Sequence, residues 1–373
     1  MLKSYDIHNF KNHADTHLDF GNLTILTGIN GMGKSSVFQS MLMMRESFLR
    51  MPLMDTLSLD GESFSVGGTS ELVNRNVTDD QNLLKMNLST DQGRVNLGYV
   101  YPIENANELE IANGFFVPDA KLLKSISLFN DDFQYLSAFR VGPQSTYLSQ
   151  TNVVDKHRQL SGKMGMGEYS VYFLSKFGQE PIALPELAYR GLESQLSLNR
   201  QVELWMGEIT DGVKLNITQN GNQYVLKYGY EQPGRPTVYH SALNTGFGLS
   251  YILSVVIAIL SAKSGSLILI ENPEAHIHPS GQASLMRLVS LAASQGVQIV
   301  METHSDHIIN GALVNWKQYE LDRNKLAVYY FYRDENLNAS PKRLLVGENG
   351  RIQNAPKGFF DQMKADLEVL FDF

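Results

Sequence analysis

Hydrophobic positions fall into three regimes along the chain. The first opens with a strand pair. Residues 1–10 and 14–20 lead into Leu23-Thr24-Ile25-Leu26-Thr27, a short apolar run of the buried-strand type. A glycine-rich turn follows. Val37, Met41, Met44 and Phe48 then recur at helical spacing and form one apolar stripe, and Pro52 stops that helix. In the second regime, residues 55–135 read as short strands and turns, and 150–205 as mainly helical and polar. Residues 213–219 and 223–228 alternate on either side of Asn220-Gly221, the strongest short hairpin signal. From Gly246 the pattern turns α/β. A wholly apolar helix over about 249–262 precedes a strand at 267–270. A helix carrying Leu285, Leu288 and Leu291 ends at Gly296, placed for a C′ glycine. Strands at 297–301 and 328–332 follow, and 358–370 reads as an amphipathic tail helix.

Composition narrows the class. An apolar share of 43% with 10% aromatic residues over 373 residues is globular and sufficient for a sizeable core. The absence of cysteine removes disulfides, thiolate metal sites and thiol catalysis, and favours a reducing compartment. Residues 1–20 show no signal peptide, and the apolar stretch at 249–262 is shorter than the roughly 18 residues a spanning helix needs. A cytoplasmic protein with no membrane partner is expected. The net charge of −8 argues against a protein that coats nucleic acid with positive charge. Residues 51–150 carry 13 acids against 6 bases, so the remainder is close to neutral and leaves room for a local basic groove.

The chemistry begins at Gly28-Ile-Asn30-Gly31-Met32-Gly33-Lys34-Ser35, which fits G-x-x-x-x-G-K-[ST] after an apolar strand and before a helix. Glycines let backbone N–H groups curl around phosphate oxygens, and the helix N-terminus adds a positive dipole end. Gly28, Asn30, Gly31, Met32, Gly33, Lys34, Ser35 and Ser36 are therefore the expected ATP-binding set. Lys34 would reach the β- and γ-phosphates, and Ser35 would offer its hydroxyl to Mg²⁺. A second apolar strand ends in Glu271-Asn272-Pro273-Glu274. In P-loop enzymes such an acid holds the Mg²⁺ shell, and Glu271 fits that role beside Ser35. A third strand ends in Glu302-Thr303-His304, where a histidine can sense the γ-phosphate. Glu271, Asn272, Glu274 and His304 form the candidate catalytic set. His276, His278, His304 and His307 have spacings seen in metal sites, but the motif segments already account for them. Arg140 reads equally as a phosphate contact or a fold residue.

These pieces resemble the ABC-type ATPase heads of the RecF, chromosome-maintenance (SMC) and overcoming-lysogenization-defect (OLD) group. Ile7-His-Asn-Phe10-Lys11 is similar to that group's opening strand, and Glu271 to Pro279 to its Walker B and D-loop segment. Asn244-Thr-Gly246-Phe-Gly248-Leu-Ser250 is similar to a degenerate signature motif. The resemblance implies that Asn244, Gly246, Gly248 and Ser250 of one subunit close over ATP held by another. Residues 135–143, Gly165-Met-Gly167-Glu168 and 356–362 resemble a narrower subfamily: small standalone ATPases with a C-terminal domain of unknown function, often encoded in bacterial defence loci. The chain departs from the group at three points. Asn272 stands where most ABC ATPases carry the catalytic glutamate. No glutamine clearly fills the Q-loop, which is placed at Val66-Gly67-Gly68 with Gln81 as a weaker candidate. The signature lacks Ser-Gly-Gly-Gln.

The implied fold is an α/β P-loop ATPase head with an antiparallel β lobe, an inserted helical region and no long coiled coil. The expected divisions are 1–78 (Walker A part of the core), 79–240 (inserted β and helical region) and 241–373 (signature, Walker B, switch histidine and C-terminal helix). The first functional reading is a nucleotide-dependent dimerisation switch, using ATP and Mg²⁺, that controls a partner effector such as a nuclease or toxin in anti-phage defence. Its turnover is slow because of Asn272. The alternative is a RecF-like repair ATPase that clamps DNA. A transporter ATPase and a GTPase are weaker: the long insert opposes the first, and no Asn-Lys-x-Asp base-reading motif supports the second.

Overall fold

The computed structural model describes residues 1–77, 82–102, 105–192, 194–231, 234–318, 325–347, 350–356, 359 and 367–370. Its central layer is a sheet of β3 (Leu23–Gly28), β8 (Phe133–Leu136), β13 (Leu267–Glu271), β14 (Gln298–Glu302), β15 (Leu326–Arg333) and β16 (Ala339–Arg343), in the order β16-β15-β3-β14-β13-β8. All neighbours are parallel except β15 and β16. Alternation of period two explains why these strands are apolar throughout. Ile25, Ile268, Ile270, Ile299, Met301 and Val328 pack into one core, while Leu26, Leu267, Leu269, Val300 and Phe331 pack into another on the opposite face.

The second core is closed by an antiparallel sheet and one long helix. The sheet contains β1 (Leu2–Phe10), β2 (His13–Asp19), β4 (Thr56–Ser58), β5 (Leu83–Thr90), β6 (Arg94–Val100) and β7 (Glu108–Ile111), ordered β2-β1-β5-β6-β7-β4. The helix is α1 (Lys34–Arg50), whose Val37, Met41, Met44 and Phe48 are buried as their spacing predicts. The short α2 (Ala120–Ser125) contributes Leu123. The first core is closed by α3 (Ser170–Phe177), α4 (Leu198–Ile209), α5 (Phe247–Leu260), α6 (Pro279–Ser294) and α7 (Asp306–Gln318). A small sheet of β9 (Tyr147–Leu148), β10 (Val213–Asn220), β11 (Gln223–Tyr230) and β12 (Tyr239–Ser241) lies on that side. Its hairpin turns at Asn220-Gly221, with Asn220 opposite Gln223.

The stretch 79–240, expected as one insertion, is instead shared among all three sheets. β5 pairs directly with β1 because β1 has two free edges and β2 fills only one. β8 pairs with β13 and forms the edge of the core sheet. The tail helix expected at 358–370 falls mostly outside the described residues, as does Gln81.

One buried side chain fastens the start of the chain to the core. Gln298, at the start of β14, accepts from the Leu2 N–H (2.7 Å) and donates to the carbonyls of Leu2 (2.8 Å) and Gly21 (3.0 Å). Replacing it by alanine leaves three buried backbone groups unsatisfied. Gln298→Ala should therefore cost about 2–4 kcal/mol in urea denaturation, and a loss below about 0.5 kcal/mol would show that the fastening carries no weight.

Candidate functional site

β3 ends at Gly28 and α1 starts at Lys34, so residues 29–33 form the phosphate loop at the C-terminal edge of the core sheet. Gly28 has φ 133°, and a Cβ there would lie 2.3 Å from the Phe331 carbonyl oxygen of β15. Only glycine lets the loop leave the strand at that point. Ile29, Asn30 and Gly31 are exposed, while Met32 and Gly33 are partly covered. The Lys34 ammonium donates to the carbonyls of Gly28 (3.1 Å) and Ile29 (3.0 Å). Ser35 and Ser36 lie in the first turn of α1, and the Ser36 N–H donates to the Gly33 carbonyl at 3.1 Å.

Below the loop is a residue that sequence reasoning missed. His13 is fully buried; its Nε2–H donates to the Gly33 carbonyl (3.0 Å), and its Nδ1 accepts from the Thr16 hydroxyl (2.8 Å). Burial pushes its pKa down to about 4, so the ring is a neutral strut under the loop. No motif marks it; the signal would have been a histidine three residues before a threonine on the strand pair that precedes the loop. At the rim, Asn12 donates to the Gly31 carbonyl at 3.0 Å.

The acids are arranged differently from the expectation. β14 lies between β3 and β13, and in register Leu26 faces Glu302, which faces Glu271. Glu302, not Glu271, accepts from the Ser35 hydroxyl (2.7 Å), and its other oxygen lies 3.6 Å from the Lys34 ammonium. Burial and the neighbouring Glu271 charge raise its pKa, against the opposing effects of Ser35 and Lys34. Glu271 is one strand further away. Its carboxylate accepts from the Tyr135 hydroxyl (3.0 Å) and the Ala138 N–H (3.0 Å), and burial raises its pKa too. The Mg²⁺ pair expected as Ser35 and Glu271 thus has Glu302 inserted in it. Glu302 was legible as the last residue of an apolar strand, but it was passed over for the histidine that follows.

The rest of the candidate catalytic set gathers here. Asn272 takes the left-handed conformation (φ 43°), and its N–H donates to the Glu302 carbonyl at 2.8 Å. Glu274 accepts from the His304 N–H (2.9 Å), while its second carboxylate oxygen is buried without a hydrogen-bond partner. The His304 ring faces the Gly28 carbonyl, with Nε2 3.8 Å from Glu302. Burial and the Lys34 charge lower its pKa, which keeps the imidazole neutral near pH 7. Arg140 reaches no phosphate position. It is buried and donates to the carbonyls of Ser137 (2.7 Å), Glu271 (2.6 Å) and Asn272 (2.8 Å). The loop beside Glu271 is therefore 137–143. Val66 instead bonds Leu59 within the antiparallel lobe. The four histidines do not converge: His276 packs on Phe247, His278 pairs with Ser280, and His307 lies near Asp306.

The signature residues divide. Asn244 and Gly246 are exposed, and Gly246 opens α5 with no side chain capping it. Gly248 packs inward: a Cβ on it would lie 2.2 Å from the His276 carbonyl oxygen of the same chain. Ser250 is also internal, 3.3 Å from the Tyr228 hydroxyl. The expected contact across a dimer is therefore open to Asn244 and Gly246, not to Ser250.

Among the described residues no three His, Asp or Glu side chains converge to hold a metal by themselves. Mg²⁺ needs less protein than that, since phosphate and water supply most of its oxygen ligands. The Ser35 hydroxyl with the Glu302 and Glu271 carboxylates is a hard-oxygen set that fits it.

A phosphate loop followed by a helix, carboxylates and a histidine at neighbouring parallel strand ends, and a flanking antiparallel lobe define an ABC-type ATPase head. The chain belongs to the family described as "AAA domain, putative AbiEii toxin, Type IV TA system", which matches residues 23–310; residues 321–370 match a protein family of unknown function, DUF3696. The DNA replication and repair protein RecF of Clostridioides difficile (strain 630) is 27% identical over 111 residues, 29% of this chain and 28% of RecF, so the match spans under a third of that relative. The SMC head bound to the C-terminal winged-helix domain of ScpA has a TM-score of 0.54 at 13% identity, covering 92% of this chain and 98% of that one. An SMC head with an extended coiled coil, bound to a C-terminal domain of ScpA derived from Pyrococcus furiosus, has a TM-score of 0.53 at 13% identity over 99% of both chains. The fold is that of the SMC head, with no coiled coil among the described residues, and the family is that of an AAA domain. No helix among the described residues is long and apolar enough to cross a membrane.

The His13 strut gives a pH prediction. Its folded pKa of about 4 lies below the unfolded value near 6.5, so its contribution is fully present above pH 6.5 and is lost as pH falls through 4. About 3 kcal/mol is linked to that window. Denaturation of His13→Gln at pH 7.5, 6 and 5 should show a flatter stability slope than wild type; an equal slope would remove the strut from the account.

Proposed function

We propose that this ATPase is a nucleotide-dependent dimerisation switch that controls a partner effector, a nuclease or toxin of the kind encoded in bacterial anti-phage defence loci. The observation that carries the dimer is the exposed start of α5. Gly246 has open space around it, and the apolar Leu243 and Phe247 flank it at 56% and 46% exposure. Uncapped N–H groups and a helix dipole at that point suit a phosphate offered by a second copy. Lys34 and the first turn of α1 bind ATP in cis. Ser35, Glu302 and Glu271 would hold Mg²⁺, which when bound would neutralise charge at the phosphates. His304, neutral and facing Gly28, positions the γ-phosphate. The RecF-like reading, in which the closed dimer clamps DNA, rests on the RecF match. A salt-dependent shift of DNA by the isolated protein would favour it.

Asn272 orients water but takes no proton, and a general base typically contributes about 10²–10⁴-fold. Turnover is accordingly slow unless Glu274 substitutes. Its unpartnered buried oxygen, beside His304, supports that role.

Lys34→Ala should abolish ATP binding, since it removes the main side-chain counter-charge; unchanged affinity would end the site assignment. In steady-state hydrolysis, Glu274→Gln should lower the rate at least about 10-fold and Asn272→Glu should raise it. Fast native turnover that survives Glu274→Gln would defeat both the slow switch and the substitute base.

The interface has its own test. Gly246→Leu should abolish ATP-dependent dimerisation in sedimentation while leaving nucleotide affinity within about twofold, because a Cβ there meets nothing within 4 Å of its own chain. ATP-dependent dimers of that variant would reject the α5 interface. Gly248 is unsuitable, since any side chain there would displace the His276 backbone.

A further inference from the structure

Arg140 and Tyr251 lie between the exposed start of α5 and the metal-site acid, and neither touches the phosphate loop. Tyr251 is on α5, and its hydroxyl donates to the Ala138 carbonyl. The Ala138 N–H in turn donates to the Glu271 carboxylate at 3.0 Å. The Arg140 guanidinium stacks 4.0 Å from the Tyr251 ring centroid and spends its bonds on the Ser137, Glu271 and Asn272 carbonyls. Its Nε is buried without a partner. Among the described residues no carboxylate makes an ion pair with this cation, although the Glu274 and Glu271 charges act on it; two of its three hydrogen bonds hold the peptide units of the metal-site acid and of the residue in the general-base position.

The outer end of this chain of contacts is equally well defined. The Phe247 and Tyr251 rings pack against His276 at 4.7 and 5.5 Å. A Cβ on Gly142 would lie 2.3 Å from the Phe247 ring, so the 137–143 loop is in contact with the first turn of α5. Any displacement of that turn must therefore move the loop, and the loop holds both the Glu271 carboxylate and the Asn272 peptide. Packed side chains with hydrogen bonds at both ends transmit such displacements rather than absorb them.

We propose that Arg140 and Tyr251 are positioning residues that set the Glu271 carboxylate and the Asn272 peptide according to whether the start of α5 is engaged by a second copy. The inference rests on the dimer reading above and adds to it a route by which one copy's engagement adjusts the metal site of the same chain. Glu271 is the acting group; the Arg140–Tyr251 pair acts through it.

The test uses Tyr251→Phe, which keeps the ring under Arg140 and removes only the bond to Ala138, with Arg140→Lys as the more severe change. Two readouts are taken with the full chain: the gain in affinity for a fluorescent ATP analogue on adding Mg²⁺, and the rise of ATPase rate with protein concentration. Tyr251→Phe should bind nucleotide without Mg²⁺ as wild type does and should form the ATP-dependent dimer. Its Mg²⁺-dependent gain should shrink, and its plateau rate should fall about 10-fold, since small misplacements of reacting groups cost that much or more. If both readouts match wild type, or if Mg²⁺-free binding and the dimer are lost as well, the positioning role is overturned. If the wild-type rate does not depend on protein concentration, the dimer reading itself fails, and this inference falls with it.

Discussion

Glu302 is buried between Lys34 and Ser35 on one side and Glu271 on the other, and the site is arranged around the cost of keeping it there. A carboxylate is tolerated inside a protein when paired and hydrogen-bonded. Here the pairing comes from the phosphate loop itself. The lysine and serine that a triphosphate and its metal would engage are already oriented by the acid on the next strand. This follows from strand order alone. With β14 between β3 and β13, parallel register sets Leu26, Glu302 and Glu271 at one level. The two acids are thereby set side by side, and burial pushes each toward its protonated form.

The second acid is handled by different means. Glu271 gains no cation at its carboxylate; it takes a phenol and a backbone N–H instead. These donors favour the ionised form, and burial opposes it. The nearby cation, Arg140, is directed at main-chain carbonyls, and burial lowers its pKa to about 10. The division is useful chemically. A carboxylate bound tightly to arginine would be lost as a metal ligand, whereas one held by two neutral donors keeps lone pairs free.

The core was legible because its signals are local and periodic. The phosphate loop, α1, the hairpin at Asn220-Gly221 and the four apolar strands each follow from patterns within about fifteen residues. What was not legible depends on which strand lies beside which. Glu302 acquired its role because β14 separates β3 from β13, a fact absent from either strand's own sequence. His13 acquired its role because the strand pair passes beneath Gly33. Ser250 was expected at the contact across a dimer because residues 244–250 resemble a signature motif. Helical geometry turns a residue four positions on back toward the same face, yet α5 is buried from Leu249 onward, and the hydroxyl meets Tyr228. The Q-loop was placed at Val66-Gly67-Gly68, with Gln81 as a weaker candidate. Chain distance does not reveal that β8, at 133–136, is the strand that closes the sheet beside β13.

The inward turn of Ser250 also gives a physical reason for the degenerate signature. A helix N-terminus recognises an anion chiefly through backbone N–H groups and its dipole, which require no particular side chain. What such a site does require is open approach, and Gly246 provides it with nothing near its missing Cβ. It also requires a helix that does not move independently of the site it serves. Leu249 to Leu260 are buried, which anchors α5, while Gly248 locks its first turn against the His276 backbone. Under the dimer proposal, backbone recognition at Gly246 and the anchoring of α5 would leave the serine free to hold the small sheet to the helix. The unusual motif is then the consequence of a different division of labour: Gly246 keeps the approach open, Gly248 fixes the turn, and Ser250 ties the first core together.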